Sequence, residues 1–141
     1  MAVTPISRRC AQVVLLDDGQ ATNLDALAVS VAIFGGGRLQ LVCASDRDSL
    51  RETANQLARI DAVAVIVVEV DRDPEPKSVL ADAADAGFPL VVLSDGRDEL
   101  IQDHALSVGA AAYLPTTLPG RELVAQLVAV ASAADRPVAW E

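Results

Sequence analysis

The chain has 141 residues, with 20 acidic against 11 basic side chains and a net charge of −9. That length allows one domain with a sizeable core, and the acidic balance weighs against nucleic acid or an anionic membrane as a direct ligand. Hydrophobic residues make up 52 % and aromatic residues only 3 %, which favours an Ala/Val-rich α/β protein over a β-sandwich. The apolar runs are all far shorter than a membrane span. Residues 1–12 carry Arg8 and Arg9 but no apolar stretch, so no signal peptide is expected. Cys10 and Cys43 have neither CxxC nor metal-ligand spacing, so two free thiols in a reducing cytoplasm are expected.

Residues 1–11 read as a loose tail. Gln12 to Leu16 is a short apolar strand that stops at Asp17-Asp18, and Gly19-Gln20 turns the chain. Thr22 or Asn23 can cap a helix from Leu24 to about Phe34, with Asp25 in its first turn where the helix dipole favours an anion. Gly35-Gly36-Gly37 ends that helix. Leu39 to Ala44 is a second strand. Asp48 or Ser49 can cap a second helix, Leu50 to about Ile60, with Leu50, Ala54, Leu57 and Ala58 on one face and Arg51, Glu52 and Arg59 off it.

Val65-Ile66-Val67-Val68-Glu69-Val70-Asp71 is a third strand. Its unbroken, mostly β-branched apolar run predicts burial on both faces. Asp73-Pro74-Glu75-Pro76 forbids a strand and opens a helix from about Lys77 to Ala86, closed by Gly87. Pro89 to Leu93 is a fourth strand, ending at Ser94-Asp95-Gly96. Arg97 to Val108 is a fourth helix stopped by Gly109. Ala111 to Leu114 is a fifth strand, and Pro119 starts a fifth helix running to about Ala134. Residues 135–141 read as a linker or tail. The domain therefore spans residues 12–134.

Five strands alternating with helices imply right-handed crossovers and a parallel sheet covered on both faces. The expected fold is α/β: a three-layer, doubly wound, five-stranded parallel sheet of order 2-1-3-4-5 with five helices. That order brings the carboxyl ends of strands one, three and four together beside strand five. It gathers Asp17, Asp18, Glu69, Ser94 and Thr116 around one cleft. Carboxylates held this close repel unless a cation sits among them. Asp17, Asp18 and Glu69 are oxygen donors of the kind Mg²⁺ takes.

On these residues the chain resembles the receiver domains of bacterial response regulators over about residues 12–134. The segment VVLLDD resembles that family's first strand with its acid pair. The stretch VVLSDGRDELIQDHALSVGAAAYLPTTLPGRELVAQLVAVASA resembles its fourth strand through fifth helix, most of all in members that precede a LuxR-type DNA-binding domain. The resemblance implies the flavodoxin-like receiver fold, with Ser94 as the switch hydroxyl, Gly109-Ala110 before strand five, and Tyr113 as the aromatic switch residue. It also implies a phosphoacceptor at the end of strand three and a lysine near the end of strand five.

Here the chain departs from the family. Glu69 best fits the acceptor position. Asp71 is the alternative, two residues later in register, but it would bury Glu69 within the strand. Thr116 stands where the lysine is expected, 22 positions after Ser94, and the one lysine of the chain is Lys77. Glutamate is longer than aspartate by one methylene, about 1.5 Å, which spoils in-line geometry in a tight site.

The expectation is an atypical, non-enzymatic receiver: a signal-transduction and dimerisation module with a transcription-regulatory output, independent of aspartyl phosphorylation. The alternatives are a phosphorylatable receiver using Asp71 or the Glu69 pocket with Mg²⁺ in a two-component phosphorelay, and a receiver that senses a small ligand. A homodimer is expected. The apolar stripe of the fifth helix, Leu123, Val124, Leu127, Val128, Val130 and Ala131, serves either the core or the pairing of subunits. A DNA-binding domain fused after residue 141 is one expectation, and a single-domain regulator is the other.

An FMN-binding reading of the same fold fails, because Asp17-Asp18-Gly19-Gln20 would repel a phosphate. Gly35-Gly36-Gly37 follows a helix and so is not a phosphate cradle. His104, the only histidine, is expected at the surface. No nucleophile–histidine set can be assembled around it.

Overall fold

Strand and helix alternate in the order β1 (Ala11–Leu16), α1 (Leu24–Phe34), β2 (Leu39–Ala44), α2 (Arg47–Arg59), β3 (Ala64–Glu69), α3 (Pro76–Ala84), β4 (Leu90–Leu93), α4 (Glu99–Ser107), β5 (Ala112–Leu114) and α5 (Gly120–Ala134). This is a computed structural model, and it describes residues 10–16, 24–70, 76–94 and 99–134. The sheet order is β2-β1-β3-β4-β5, with every pair parallel. That is the expected doubly wound topology.

The strands are apolar because both faces are covered. Val65, Ile66, Val67 and Val68 are all essentially inaccessible to water. Burying each such side chain contributes about 1.5–3 kcal/mol. Alternate residues feed opposite sides, as the two-residue strand period requires. Val65 and Val67 join Val13, Leu15, Val91 and Leu93 under Leu27 and Val31 of α1 and Leu123, Val124, Leu127 and Ala131 of α5. Ile66, Val68 and Val70 join Val14, Leu16 and Val92 under Leu50 of α2, Leu80 of α3 and Ala105 of α4. The layers are therefore α1 and α5, the sheet, then α2, α3 and α4.

Several boundaries differ from expectation. The second helix starts earlier, at Arg47, because Asp46 caps it: its carboxylate accepts the Ser49 backbone N–H at 2.7 Å. Asp48 instead lies in the first turn, 3.6 Å from Arg51. Ala58, expected on the inner face, is exposed, while Leu50 and Ala54 are buried. The third strand ends at Glu69 and not at Asp71. The third and fourth helices end earlier, at Ala84 and Ser107; Arg97 and Asp98, expected at the start of the fourth, lie outside the described residues.

Gly36 and Gly37 carry the chain from α1 to β2 with φ of 60° and 79°. Those values favour glycine, which has no Cβ to clash. Cys10 and Cys43 are both free and exposed.

Candidate functional site

The carboxyl edge of the sheet is built by register. Glu69 lies opposite Leu93, and Leu93 lies opposite Leu114. Past these pairs the backbone continues to bind across the edge. The Val70 N–H donates to the Leu93 carbonyl at 3.1 Å, Ser94 N–H to the Leu114 carbonyl at 3.0 Å, and Thr116 N–H to the Ser94 carbonyl at 3.3 Å. Three chain ends that are far apart in sequence are thus tied into one rim: Glu69 on β3, Ser94 after β4 and Thr116 after β5. Ser94 is the buried polar residue of the described core, at 5 % exposure. Glu69 and Thr116 are half-buried.

The rim therefore holds a carboxylate flanked by two hydroxyl-bearing residues, with no cationic side chain among these three positions. Lys77 lies in the first turn of α3. Such a set accepts hydrogen bonds and repels anions, whereas a phosphoryl site needs positive charge where the transferred oxygens sit. β1 ends beside the same edge, with Leu15 opposite Val67. Asp17 and Asp18, expected to follow it as the acid pair and as Mg²⁺ donors with Glu69, lie outside the described residues, as does Asp71. Among the described residues no group of three or more acidic, His or Cys side chains could hold a metal ion.

Tyr113 pairs with Val92 in the sheet. It packs with Ile101, Val108 and Ala110 on the side covered by α2, α3 and α4. Its hydroxyl is buried without a hydrogen-bond partner among the described residues, and so is Nε2 of His104. His104 was expected at the surface. It lies three residues after Ile101 and three before the Ser107 hydroxyl that donates to its carbonyl at 2.7 Å, and it turns one ring nitrogen inward. A lone histidine among surface residues gave no sign of this.

Within one chain the apolar stripe of α5 packs largely into the core. Leu123, Val124, Leu127 and Ala131 are buried, and Val128 and Val130 pack against them. The large exposed apolar residues among those described lie elsewhere: Val29, Ile33 and Phe34 on α1, Ile60 after α2, and Leu100 and Leu106 on α4.

No family model matches the chain, and no curated protein matches it. Solved structures do. A structure described as FixJ-N superposes with a TM-score of 0.66 at 17 % identity, covering 93 % of this chain and 98 % of the other. The signal receiver domain of the putative response regulator NarL from Mycobacterium tuberculosis gives 0.66 at 18 % identity, covering 87 % and 97 %. A putative pilus assembly-related protein from Burkholderia pseudomallei gives 0.64 at 15 % identity, covering 97 % and 98 %. The chain therefore has the flavodoxin-like receiver fold. The third neighbour shows that proteins described in other terms share this fold, so the output cannot be read from it. No helix among the described residues is long and apolar enough to cross a membrane.

Proposed function

We propose that this chain is an atypical receiver: a non-enzymatic signal-transduction and dimerisation module that controls a transcription-regulatory output without an aspartyl phosphorylation cycle. The observation that carries the reading is the end of β3. The strand stops at Glu69, at the edge shared with Ser94 and Thr116, so a glutamate takes the acceptor position and a threonine the position of the balancing cation. A fixed glutamate supplies permanent negative charge beside the switch hydroxyl, partly imitating an acyl phosphate. The conformation is then set by the sequence and by binding partners rather than by a phosphodonor.

The test is intact mass after incubation with acetyl phosphate and Mg²⁺. The expected mass is unchanged. A stoichiometric, acid-labile gain of one phosphoryl group overturns the reading, and its loss in Asp71→Asn would establish a phosphorelay receiver using Asp71 instead.

A further inference from the structure

The sheet has two outer edges. β5 closes one side with three residues, and β2 closes the other with six. An edge strand leaves a row of backbone N–H and C=O groups without a sheet neighbour, and such edges are commonly blunted by charge, proline or a bulge. The β2 sequence LQLVCA has no charge, no proline and no glycine. Its register with β1 runs unbroken from Leu39 to Ala44.

The register fixes which groups are left over. In a parallel ladder, a residue on one strand bonds the residues on either side of its partner. Ala11 is partnered with Leu39, and its N–H donates to the Arg38 carbonyl at 2.8 Å. Val13 and Leu15, partnered with Leu41 and Cys43, continue the alternation. Gln40 and Val42 thus turn their backbone groups to β1, and Leu39, Leu41 and Cys43 turn theirs outward. These outward groups have no backbone partner among the described residues. Leu39 is in the core and Leu41 packs against it, so the strand is held firmly while its edge stays open.

We infer that the β2 edge pairs antiparallel with the β2 edge of a second copy, joining the two five-stranded sheets into one. Symmetry and charge select that occupant. A two-fold axis at Leu41 sets Leu41 against itself and Leu39 against Cys43 of the other copy. Each of these is then a hydrogen-bonded pair, whose residues exchange both N–H···O bonds, giving about six bonds in all. The chain carries −9 overall and repels its own copy over most of its surface, whereas β2 offers an uncharged contact. Its flanks are opposite in sign. Arg38 precedes the strand, Asp46 follows it, and both are exposed. Antiparallel pairing brings Arg38 of each copy beside the Ser45–Asp46 end of the other. A strand from a strongly charged partner would match one flank and oppose the other.

Main-chain bonds along one short strand make a small interface, so the expected dissociation constant is on the order of 100 µM.

This inference rests on the interaction-module reading and names its surface. It is tested on the full chain by sedimentation equilibrium and by residue-resolved amide hydrogen exchange in NMR, from about 30 µM to 1 mM, a range that brackets that constant. The mass is expected to rise from one chain toward two. The Leu41 and Cys43 amides are expected to exchange about three-fold more slowly at the top of the range than at the bottom, while Gln40 and Val42, bonded to β1, change little. Cys43→Pro deletes an outward N–H from an exposed residue; with folding checked by circular dichroism, it is expected to stay at one chain. Cys43→Ser is expected to dimerise like its parent, and Arg38→Glu to associate about ten-fold more weakly; neither these nor the exchange pattern depends on the proline variant folding. One-chain mass throughout, association that leaves the Leu41 and Cys43 amides unprotected, a dimer that survives Cys43→Pro or ignores Arg38→Glu, or one lost in Cys43→Ser would overturn it. A monomer leaves the acetyl phosphate result standing, and phosphorylation of the wild type leaves the interface standing, so the two claims fail separately.

Discussion

The two sides of the sheet receive equally apolar strands but are finished differently on the outside. On the side under α2, α3 and α4, polar contacts tie α2 to α3. Arg47 donates to the Ser78 hydroxyl at 2.8 Å and to the Asp82 carboxylate at 3.1 Å, and Arg51 approaches Asp82 at 3.9 Å. The side under α1 and α5 has one cation, Arg121, resting on Phe34, and leaves Val29 and Ile33 in water. Burial of the strands explains both inner faces. Both outer faces keep large apolar residues in water, Ile60, Leu100 and Leu106 on the first and Val29 and Ile33 on the second.

The comparison can be broken from the inside first. Leu80 on one side and Leu127 on the other are fully buried. Either changed to Ala should cost about 2–5 kcal/mol in urea unfolding. A much smaller cost for Leu127 would mean that α5 is not part of the core. Gly120→Val comes next. Its added side chain crowds Ser30 and approaches Phe34, so Ser30 must change rotamer and α1 shift slightly, at a cost of about 1–3 kcal/mol, and no equivalent close contact exists between α2 and α3 among the described glycines. Asp46→Ala removes the α2 cap and should cost about 1 kcal/mol. Arg47→Ala should cost less than about 1 kcal/mol, because its side chain is 34 % exposed and solvent screens the pair; the loss should shrink further in high salt. The smallest effect on stability belongs to Ile33→Ser, within about 0.5 kcal/mol. A large loss there would show that Ile33 serves the fold and not a surface.

Much of this was legible in the sequence, and the misses have physical causes. The run Val65 to Val68 could only be a doubly buried strand, and the Gly and Pro punctuation placed the helices between strands. The cap of α2 was misplaced because Asp46, Asp48 and Ser49 are all capping residues within four positions, and only backbone geometry decides which carboxylate reaches a free N–H. The α5 stripe announced an apolar face but not what covers it. α1 hid its exposed face for the opposite reason: a helix apolar on every side has no phase to read. The rim residues Glu69, Ser94 and Thr116 were found by counting from strand ends. Their juxtaposition depends on sheet order and register, which the alternation of elements supplied.

The central claim is that residues 69 and 116 occupy the acceptor and cation positions of a receiver site, and that their identities disable it. The direct measurement is intact mass after acetyl phosphate and Mg²⁺ on four proteins: wild type, Glu69→Asp, Thr116→Lys, and the double variant. The account predicts no phosphoryl gain in the wild type and stoichiometric gain in Glu69→Asp/Thr116→Lys, where a shorter carboxylate and an ammonium restore in-line attack and charge balance. Phosphorylation of the wild type, or a double variant as inert as its parent, would contradict it.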